Sequence, residues 1–339
     1  MEIGLFHSVQ WPEGSTQHDR YKQSLEQACY ADEAGFSSIW LTEHHFSRHG
    51  IVSDSLAVLA HLAARTERIR LGTAVSVLPL HNPLRFLETA ATVDQLSNGR
   101  LDLGVGRGYQ MGEFNGFGVD MGEKWERFDE AIEVLQEAWS SDQPFTHDGP
   151  HFNFKDAYPQ PRPVQLPYPP LWVATDSAEG LASCVKNDWG VLLPQGTSLD
   201  VVGQQMGRYK TALGADSKTL NDGRVYLARA AHVAATDALA WEEAEGPYDS
   251  FLSLADKLRK GTGNGAAPAS RSPFDMDADL SSVVLFGSPD SVIAGLTEIH
   301  ELGIDRVMLF VHMADLPHEK IMNSLALLSK EVLPAVREL

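Results

Sequence analysis

The chain has 339 residues, of which 43% are hydrophobic and 22% are charged, as in soluble globular proteins and unlike disordered or fibrous ones. Its formal net charge of −19 is spread along the chain and argues against a nucleic-acid or anionic membrane partner. The first ten residues lack signal-peptide features, no apolar run is long enough to cross a bilayer, and only Cys29 and Cys184 are present. We therefore expect a cytoplasmic protein without disulfides.

Predicted strands and helices alternate along almost the whole chain. The strand candidates are short apolar and β-branched runs at residues 3–6, 38–41, 69–75, 101–105, 171–174, 189–193, 225–231 and 306–311. The helical candidates are residues 21–34, 55–64, 84–96, 123–139, 178–186, 199–213, 291–301 and 319–333. This alternation implies a parallel sheet, because each crossover helix must return over one face of it.

Two architectures fit such a sheet: a closed (β/α)8 TIM barrel and an open sheet of two Rossmann-like halves. The strand count, a final helix and the absence of a composition break at mid-chain favour the barrel. The first strand is not followed by the GxGxxG motif that would favour the Rossmann alternative. We expect an α/β fold in which residues 1–339 form one TIM-barrel domain, with Gly35, Gly99 and Gly303 as left-handed helix ends.

Two long connections interrupt the alternation. Residues 143–170, after the fourth strand, are rich in proline and aromatic residues and are expected to form an ordered excursion with a short hairpin. Residues 261–282, after the seventh strand, contain few large apolar residues and have the composition of a mobile segment. In a barrel this second segment leaves the face that carries the ligand site, so we interpret it as a lid.

The stretch "LTEHHFSRHG", residues 41–50, follows the second strand at the end where barrels bind ligands. Adjacent His44 and His45 point to opposite sides if the strand continues, so they cannot share a metal ion, and we expect no metal site. Beside Glu43, a histidine is better interpreted as an oriented proton donor or acceptor. For His45 a purely structural hydrogen bond remains an equal alternative, and His49 is expected to face solvent.

Two other strand ends carry the features of a phosphate site. In "LGVGRGY", residues 103–109, glycines let the backbone approach a ligand and Arg107 offers a forked donor. In "VATDSAEG", residues 173–180, Ser177 can cap a helix that starts near Ala178 and whose first amide groups then face an anion. Each signal is weak by itself, and a plain helix cap is the alternative for Ser177.

Together with "WLTEHHF" at residues 40–46, the block "LGTAVSVLPLHNPLRFLETAATVDQLSNGRLDLGVGRGY" at 71–109 and "GSPDSVIAGLTEIHELGID" at 287–305 resemble the bacterial luciferase-like flavin-dependent monooxygenase family. The resemblance extends over essentially the whole chain. It implies a TIM barrel that receives reduced FMN from a separate NAD(P)H-dependent flavin reductase and activates dioxygen as a flavin C4a-hydroperoxide. It also implies a homodimer formed through barrel helices.

Carried over position by position, the resemblance makes His44 the catalytic histidine and Arg107 the arginine that binds the flavin phosphate. Asp176 and Ser177 match a phosphate-contacting pair, and Ala74-Val75 matches a non-proline cis peptide against the flavin ring. The residues assigned to the cofactor site are Glu43, Ala74, Val75, Arg107, Gly108, Tyr109, Asp176 and Ser177. Those assigned to the substrate pocket are Phe6, Thr42, His45 and Gly106.

Two positions depart from the family pattern. Gly106 stands where the light-emitting α subunit has a reactive cysteine, and Gly180 stands where it has a phosphate-binding threonine. We expect Gly106 to enlarge the space near the flavin. The predicted substrate is therefore a small hydrophobic organic molecule bulkier than a linear aldehyde, such as an aromatic polyketide-like secondary metabolite, which would be hydroxylated or epoxidised.

Two other functions fit the same resemblance. Related barrels bind the deazaflavin F420 in the same place and transfer hydride without oxygen. A non-catalytic subunit like the luciferase β chain would instead stabilise an active partner, although the intact "EHHF" stretch and the long lid segment argue against this reading. The sequence leaves both alternatives open.

Overall fold

Parallel strands close into a ring at the centre of the fold. A computed structural model of the chain describes residues 1–214, 223–260 and 280–339. The described strands are β1 (Glu2–His7), β2 (Ser38–Leu41), β3 (Arg70–Thr73), β4 (Ser76–Val77), β5 (Leu101–Gly106), β6 (Phe145–Asp148), β7 (Asn153–Ala157), β8 (Leu171–Ala174), β9 (Gly190–Leu193), β10 (Val225–Val233), β11 (Val284–Gly287) and β12 (Arg306–Phe310). Eight of them pair in parallel in the order β1, β2, β3, β5, β8, β9, β10 and β12, and β12 pairs again with β1. The predicted (β/α)8 barrel is confirmed.

Alternation along the strands separates the two sides of the barrel wall. Leu5 pairs with Ile39, and both belong to the large core that packs against the surrounding helices. Trp40, in contrast, lies inside the barrel against Trp172 and Tyr226, with ring centroids 5.9 and 4.9 Å away. These fully or almost fully buried rings fill the interior, so the ring of strands is a packed core and its ligand site must lie at its rim.

Several helix ends carry the local sequence signals that predict them. The described helices are α1 (Gln17–Ala34), α2 (Ser55–Ala63), α3 (Pro83–Leu96), α4 (Met111–Phe117), α5 (Lys124–Ser140), α6 (Ala178–Asn187), α7 (Leu199–Leu213), α8 (Asp237–Lys260), α9 (Pro289–Glu301), α10 (His318–Leu327) and α11 (Leu333–Val336). Thr16 caps α1 by accepting a hydrogen bond from the Asp19 N–H. Gly35, Gly99 and Gly303 adopt φ of 85°, 77° and 89°, which confirms the three predicted left-handed positions.

Three elements were missed by the sequence patterns. Helix α8 contains Pro247 directly after Gly246, and α4 has two glycines in seven residues, so both lack the propensity that marks a helix. Strand β11 is only four residues long and pairs with the last four residues of β10. The candidate strand at 69–75 is also wrong in its bounds, because β3 ends at Thr73 and the short β4 follows at Ser76.

The two long connections differ in what can be said of them. In the excursion after the fourth barrel strand, β6 and β7 form the predicted antiparallel hairpin. Of the predicted lid at 261–282, residues 261–279 lie outside the described residues, and Leu280–Ser282 form a single 3-10 turn. Within the described parts of the chain, none of the helices is long and apolar enough to span a membrane.

Candidate functional site

His44, three residues beyond β2, is held at the barrel rim by a carboxylate. Its Nδ1 lies 3.1 Å from Oε1 of Glu113 and 2.9 Å from the side-chain amide of Gln110. Because a carboxylate can only accept a hydrogen bond, the contact with Glu113 calls for a proton on Nδ1. The Gln110 amide then presents its oxygen to this N–H, since an NH2 group can only donate and the two ends of the amide are assigned from their partners. No hydrogen bond between described residues uses Nε2 of His44, so this atom is the one that can exchange a proton with a ligand.

Glu113 also fixes the chain around His44. The same Oε1 accepts a hydrogen bond from the backbone N–H of His45 at 3.0 Å, and the Glu113 side chain is almost fully buried. Glu113 and Gln110 were not among the predicted site residues. Gln110 directly precedes α4 and Glu113 lies within it, and the glycines of that short helix hid it from the periodicity of the sequence.

Glu43 holds two other histidines rather than His44. Its carboxylate accepts hydrogen bonds from Nε2 of His45 at 3.1 Å and from Nε2 of His81 at 2.8 Å. Burial alone would raise the pKa of Glu43, but the two histidines outweigh burial and lower its pKa to about 2. Burial by itself would lower the pKa of His81, but the hydrogen bond that His81 donates to Glu43 raises it. The sequence did not predict this ion pair between His81 and Glu43, which helps to keep the Glu43 carboxylate ionised.

The adjacent histidines therefore point to different partners, as their spacing predicted. His44 reaches Glu113 and His45 reaches Glu43. Among the residues the structure describes, no cluster of three or more histidine, cysteine, aspartate or glutamate side chains is arranged to hold a metal ion.

The prediction for His49 is wrong. Its side chain is only 2% exposed, and its ring stacks on Phe251 of α8 at 5.1 Å between centroids. The other side of His49 faces the His44 ring at 5.1 Å. Because α8 was not predicted, the sequence offered no partner that could cover His49, and a polar loop residue was assigned to solvent.

The peptide bond between Ala74 and Val75 is cis, as the family resemblance predicted. It lies between β3 and β4, beside the end of β5. The expected enlargement at Gly106 is wrong, because Cγ2 of Val75 lies 2.5 Å from where a β carbon at position 106 would be. Gly106 therefore admits the Val75 side chain, and it does not open a cavity.

Arg107 follows β5 and forms no ion pair within 4.0 Å with a described residue, although the charge of Asp129 acts on it from the wall of a cavity that both residues line. Its guanidinium carbon lies 4.0 Å above the Trp125 ring and 4.8 Å from the Phe128 ring. Its Nε is buried without a hydrogen-bond partner, and burial lowers the pKa of the guanidinium. Lys124 adds a second cation nearby, whose Nζ lies 3.5 Å from the carbonyl oxygen of Gly108. In a protein of net charge −19, two cations without a strong counter-ion are suited to bind an anion.

The start of α6 adds amide groups to the same region. Ser177 caps the helix by accepting a hydrogen bond from the Gly180 N–H at 3.1 Å, which confirms the predicted cap. Gly180 and Arg107 line one cavity of about 210 Å³ between α5 and α6. A helix start next to an unpaired arginine is the arrangement that binds a phosphate. Asp176 is exposed beside it, and its backbone carbonyl accepts a hydrogen bond from Arg208.

Three further predicted residues are Phe6, Thr42 and Tyr109. Phe6 is partly buried and packs on Phe310 at 5.8 Å between ring centroids. Thr42 is buried and its hydroxyl has no hydrogen-bond partner. Tyr109 is 43% exposed and presents its ring at a right angle to His44 at 6.1 Å. Of these three residues, Tyr109 is therefore the one that packs on the His44 ring.

Three buried histidines predict that the fold is sensitive to acid. Burial, aided by the charge of Arg20, lowers the pKa of His7 to about 3. The pKa of His49 is likewise lowered to about 3, by burial and by His44, and that of His312 is lowered well below 6.5 by burial. The unfolded chain binds protons at these histidines near pH 6.5, so stability is complete above that pH and is lost as the pH falls toward 3.

We expect each of these histidines to contribute a slope of about 1.4 kcal/mol per pH unit within that window. Thermal unfolding measured between pH 7.5 and 5 should show a falling Tm. A His312→Gln variant should show a weaker dependence on pH, whereas a change at the exposed His61 should not alter it. An equal Tm at pH 7.5 and pH 5 would contradict the prediction.

The sequence of this chain is similar to those of known monooxygenases. The sequence profile described as "Luciferase-like monooxygenase" matches residues 1–306. The oxygenase component of the flavin-dependent trigonelline monooxygenase of Acinetobacter baylyi is 27% identical over 350 residues, covering 100% of this chain and 96% of that protein.

Solved structures resemble the whole chain. The monooxygenase RslO1 from Streptomyces bottropensis superposes with a TM-score of 0.87 and 26% identity, covering 98% of this chain and 99% of the other. An F420-dependent secondary alcohol dehydrogenase, in complex with an F420-acetone adduct, superposes with a TM-score of 0.75 over 99% of both chains. At 19% identity, the latter similarity concerns the fold alone.

Proposed function

The chain belongs to the luciferase-like monooxygenase family. We propose that it is the oxygenase component of a two-component flavin-dependent monooxygenase. It would take reduced FMN from a separate NAD(P)H-dependent flavin reductase and use dioxygen to oxygenate a small hydrophobic organic substrate. The observation that carries the proposal is that His44, oriented by Glu113, and Arg107, whose buried Nε has no hydrogen-bond partner, both follow barrel strands at the same rim. The relative from Acinetobacter baylyi, itself an oxygenase component, supports the same assignment.

The residues present fit the phosphate end of FMN. Arg107 would donate to the phosphate oxygens, because its buried Nε has no hydrogen-bond partner among the described residues. Lys124 and the first amide groups of α6, behind the Ser177 cap, would add charge and hydrogen bonds. When bound, the reduced flavin supplies the electrons that activate dioxygen.

The residues around Ala74 and Val75 would face the flavin ring. The cis bond between them lies at the rim, next to β5, with the Val75 side chain packed over Gly106. Gly108 has φ of 73°, and a β carbon there would lie 2.6 Å from Val77, so the backbone runs close to β4. Together with Tyr109 and Asp176, these residues complete the proposed cofactor site.

Glu43 is proposed to act through His45 and not by direct contact with the cofactor. Because its carboxylate is taken up by His45 and His81, its role is to hold the His45 ring in place beside His44. His45 in turn packs edge-on against Phe117 at 4.7 Å between ring centroids. The pair thereby orders the loop that carries the catalytic residue.

His44 is proposed to move protons during oxygenation. With Nδ1 committed to Glu113, Nε2 can take a proton from a substrate group or return one, and the buried carboxylate stabilises the imidazolium formed in between. The surrounding aromatic residues and the low exposure of His44 keep competing water away from this atom.

The substrate can be assigned only by class. The partly buried ring of Phe6 offers an apolar surface, and the unpartnered hydroxyl of Thr42 can orient one polar group. The expectation of an aromatic polyketide-like secondary metabolite rested on space at Gly106, which Val75 fills. We therefore limit the proposal to a hydrophobic organic substrate. The homodimer implied by the family resemblance stays a prediction.

Anaerobic titration of the purified chain with FMNH2 and with reduced F420 tests the function. We expect FMNH2 to bind more tightly, and oxygen-18 from dioxygen to enter a product when hydrophobic substrates are screened with a flavin reductase present. Preference for F420 with turnover in the absence of oxygen would establish the hydride-transfer alternative. Binding of neither cofactor without a second polypeptide would instead support a non-catalytic subunit.

A further inference from the structure

Gly180, in the first turn of α6, stands where the luciferase α subunit has a phosphate-binding threonine. In this chain a β carbon at position 180 would lie 1.9 Å from Oγ1 and 2.9 Å from Cβ of Thr175. The first distance is little more than a covalent bond of about 1.5 Å. The hydroxyl of Thr175 therefore occupies the place that a side chain at position 180 would take.

The Thr175 hydroxyl has no partner in the described protein. Thr175 directly follows β8, its side chain is only 9% exposed, and its Oγ1 makes no hydrogen bond to another described residue. Its Oγ1 is not completely buried, unlike the unpartnered hydroxyl of Thr42. A ligand can therefore reach it and accept a hydrogen bond in place of water.

The groups around this hydroxyl favour an anionic ligand. The side-chain oxygen of Ser177 lies 3.1 Å from the same point at position 180, and it caps α6, which begins at Ala178. Arg107, whose Nε has no hydrogen-bond partner, borders the adjoining cavity together with Gly180, and Asp129 and Glu133 lie on the α5 side of that cavity. A hydroxyl, a guanidinium and a helix start are the donors used to bind a phosphate monoester.

We infer that Thr175 supplies the hydroxyl that binds the flavin phosphate in this protein, and that Gly180 is required so that Thr175 can reach this position. The inference rests on the proposed function, because it concerns the phosphate of the same cofactor. It moves the hydroxyl donor from the first helical turn to the end of the preceding strand, with Ser177 between them. A threonine at position 175 with a glycine at position 180 therefore replaces the hydroxyl donor that the luciferase α subunit has at position 180.

Dissociation constants of the full chain for FMNH2 and for reduced riboflavin, which lacks the phosphate, test the inference. Thr175→Val removes the hydroxyl and keeps the shape, and it should weaken FMNH2 binding about tenfold, because a hydrogen bond to a charged group is lost. Thr175→Ser keeps the hydroxyl and should remain within about twofold of wild type. Riboflavin binding should be the same in all three proteins, since a merely structural role would affect both ligands.

An exchange of the two side chains provides a second test. Gly180→Thr alone should weaken FMNH2 binding or destabilise the protein, since its β carbon meets Thr175 at 1.9 Å. The double variant Thr175→Ala, Gly180→Thr removes that contact and returns a hydroxyl, so it should recover FMNH2 affinity relative to Gly180→Thr. Failure to recover, with Thr175→Val equal to wild type, would overturn the inference.

The wild-type chain separates this inference from the proposed function. If wild type does not bind FMNH2, the proposed function fails. If wild type binds FMNH2 more tightly than reduced riboflavin and Thr175→Val retains that preference, only the role of Thr175 is wrong.

Discussion

Replacing His44 with alanine is expected to slow product formation about a hundredfold or more, while FMNH2 affinity stays within about twofold of wild type. The reason is that the two nitrogens of the His44 imidazole have different roles. Nδ1 is committed to Glu113, and Nε2 has no partner among the described residues and is free to transfer a proton. Single-turnover product formation, measured with a substrate found by oxygen-18 incorporation, checks the rate, and anaerobic titration checks the affinity.

Two further variants separate catalysis from structure at this site. Glu113→Gln retains a hydrogen-bond acceptor but removes the charge that stabilises an imidazolium, so it should slow product formation less than His44→Ala. His61→Ala, at an exposed histidine of α2, should leave the rate unchanged. Wild-type rates in His44→Ala would remove this residue from the mechanism, and equal loss of flavin binding would show that its role is structural.

Replacing Arg107 with alanine should weaken FMNH2 binding about tenfold to a hundredfold, because a charge-assisted phosphate contact contributes about 1.5 to 3 kcal/mol. Reduced riboflavin should bind equally well to the variant and to wild type. Arg107→Lys keeps the charge but loses the forked donor and the flat surface that packs on Trp125, so it should fall between them.

The guanidinium is the larger of the two phosphate determinants proposed for this protein, so the loss at Arg107 should exceed the loss at Thr175. The same anaerobic titration, performed at low and high salt, measures both effects. Unchanged FMNH2 affinity in Arg107→Ala would place the phosphate elsewhere on the barrel.

Much of the fold could be predicted because its signals are local. Every strand of the barrel follows from a short apolar run, and the helix ends at Gly35, Gly99 and Gly303 follow from the need for positive φ. The two missed helices share one physical cause, which is weak local propensity, whereas the apolar strand β11 was missed because it is only four residues long. Helix α8 contains Gly246 and Pro247 and is held by packing of Tyr248 and Phe251 in the core, which no periodicity reveals.

The candidate site was predicted as a set of positions and not as a set of contacts. His44, Arg107 and Ser177 were placed at one rim by the rule that parallel strands end on the same side. Their partners could not be found in this way, since His44 and Glu113 are 69 positions apart and belong to different elements. Val75 filling the space at Gly106 and Phe251 covering His49 were hidden for the same reason.

For this protein, the barrel, the family and the residues at the ends of the strands could all be predicted from the amino-acid sequence. Those features depend on patterns of a few residues or on motifs read along the chain. The folded structure was needed to show which side chains are in contact. It shows that Nδ1 of His44 faces Glu113 and that Thr175 lies where a side chain at Gly180 would be. Such contacts depend on how distant elements pack, and a difference of one or two ångströms between them changes the chemistry of the site.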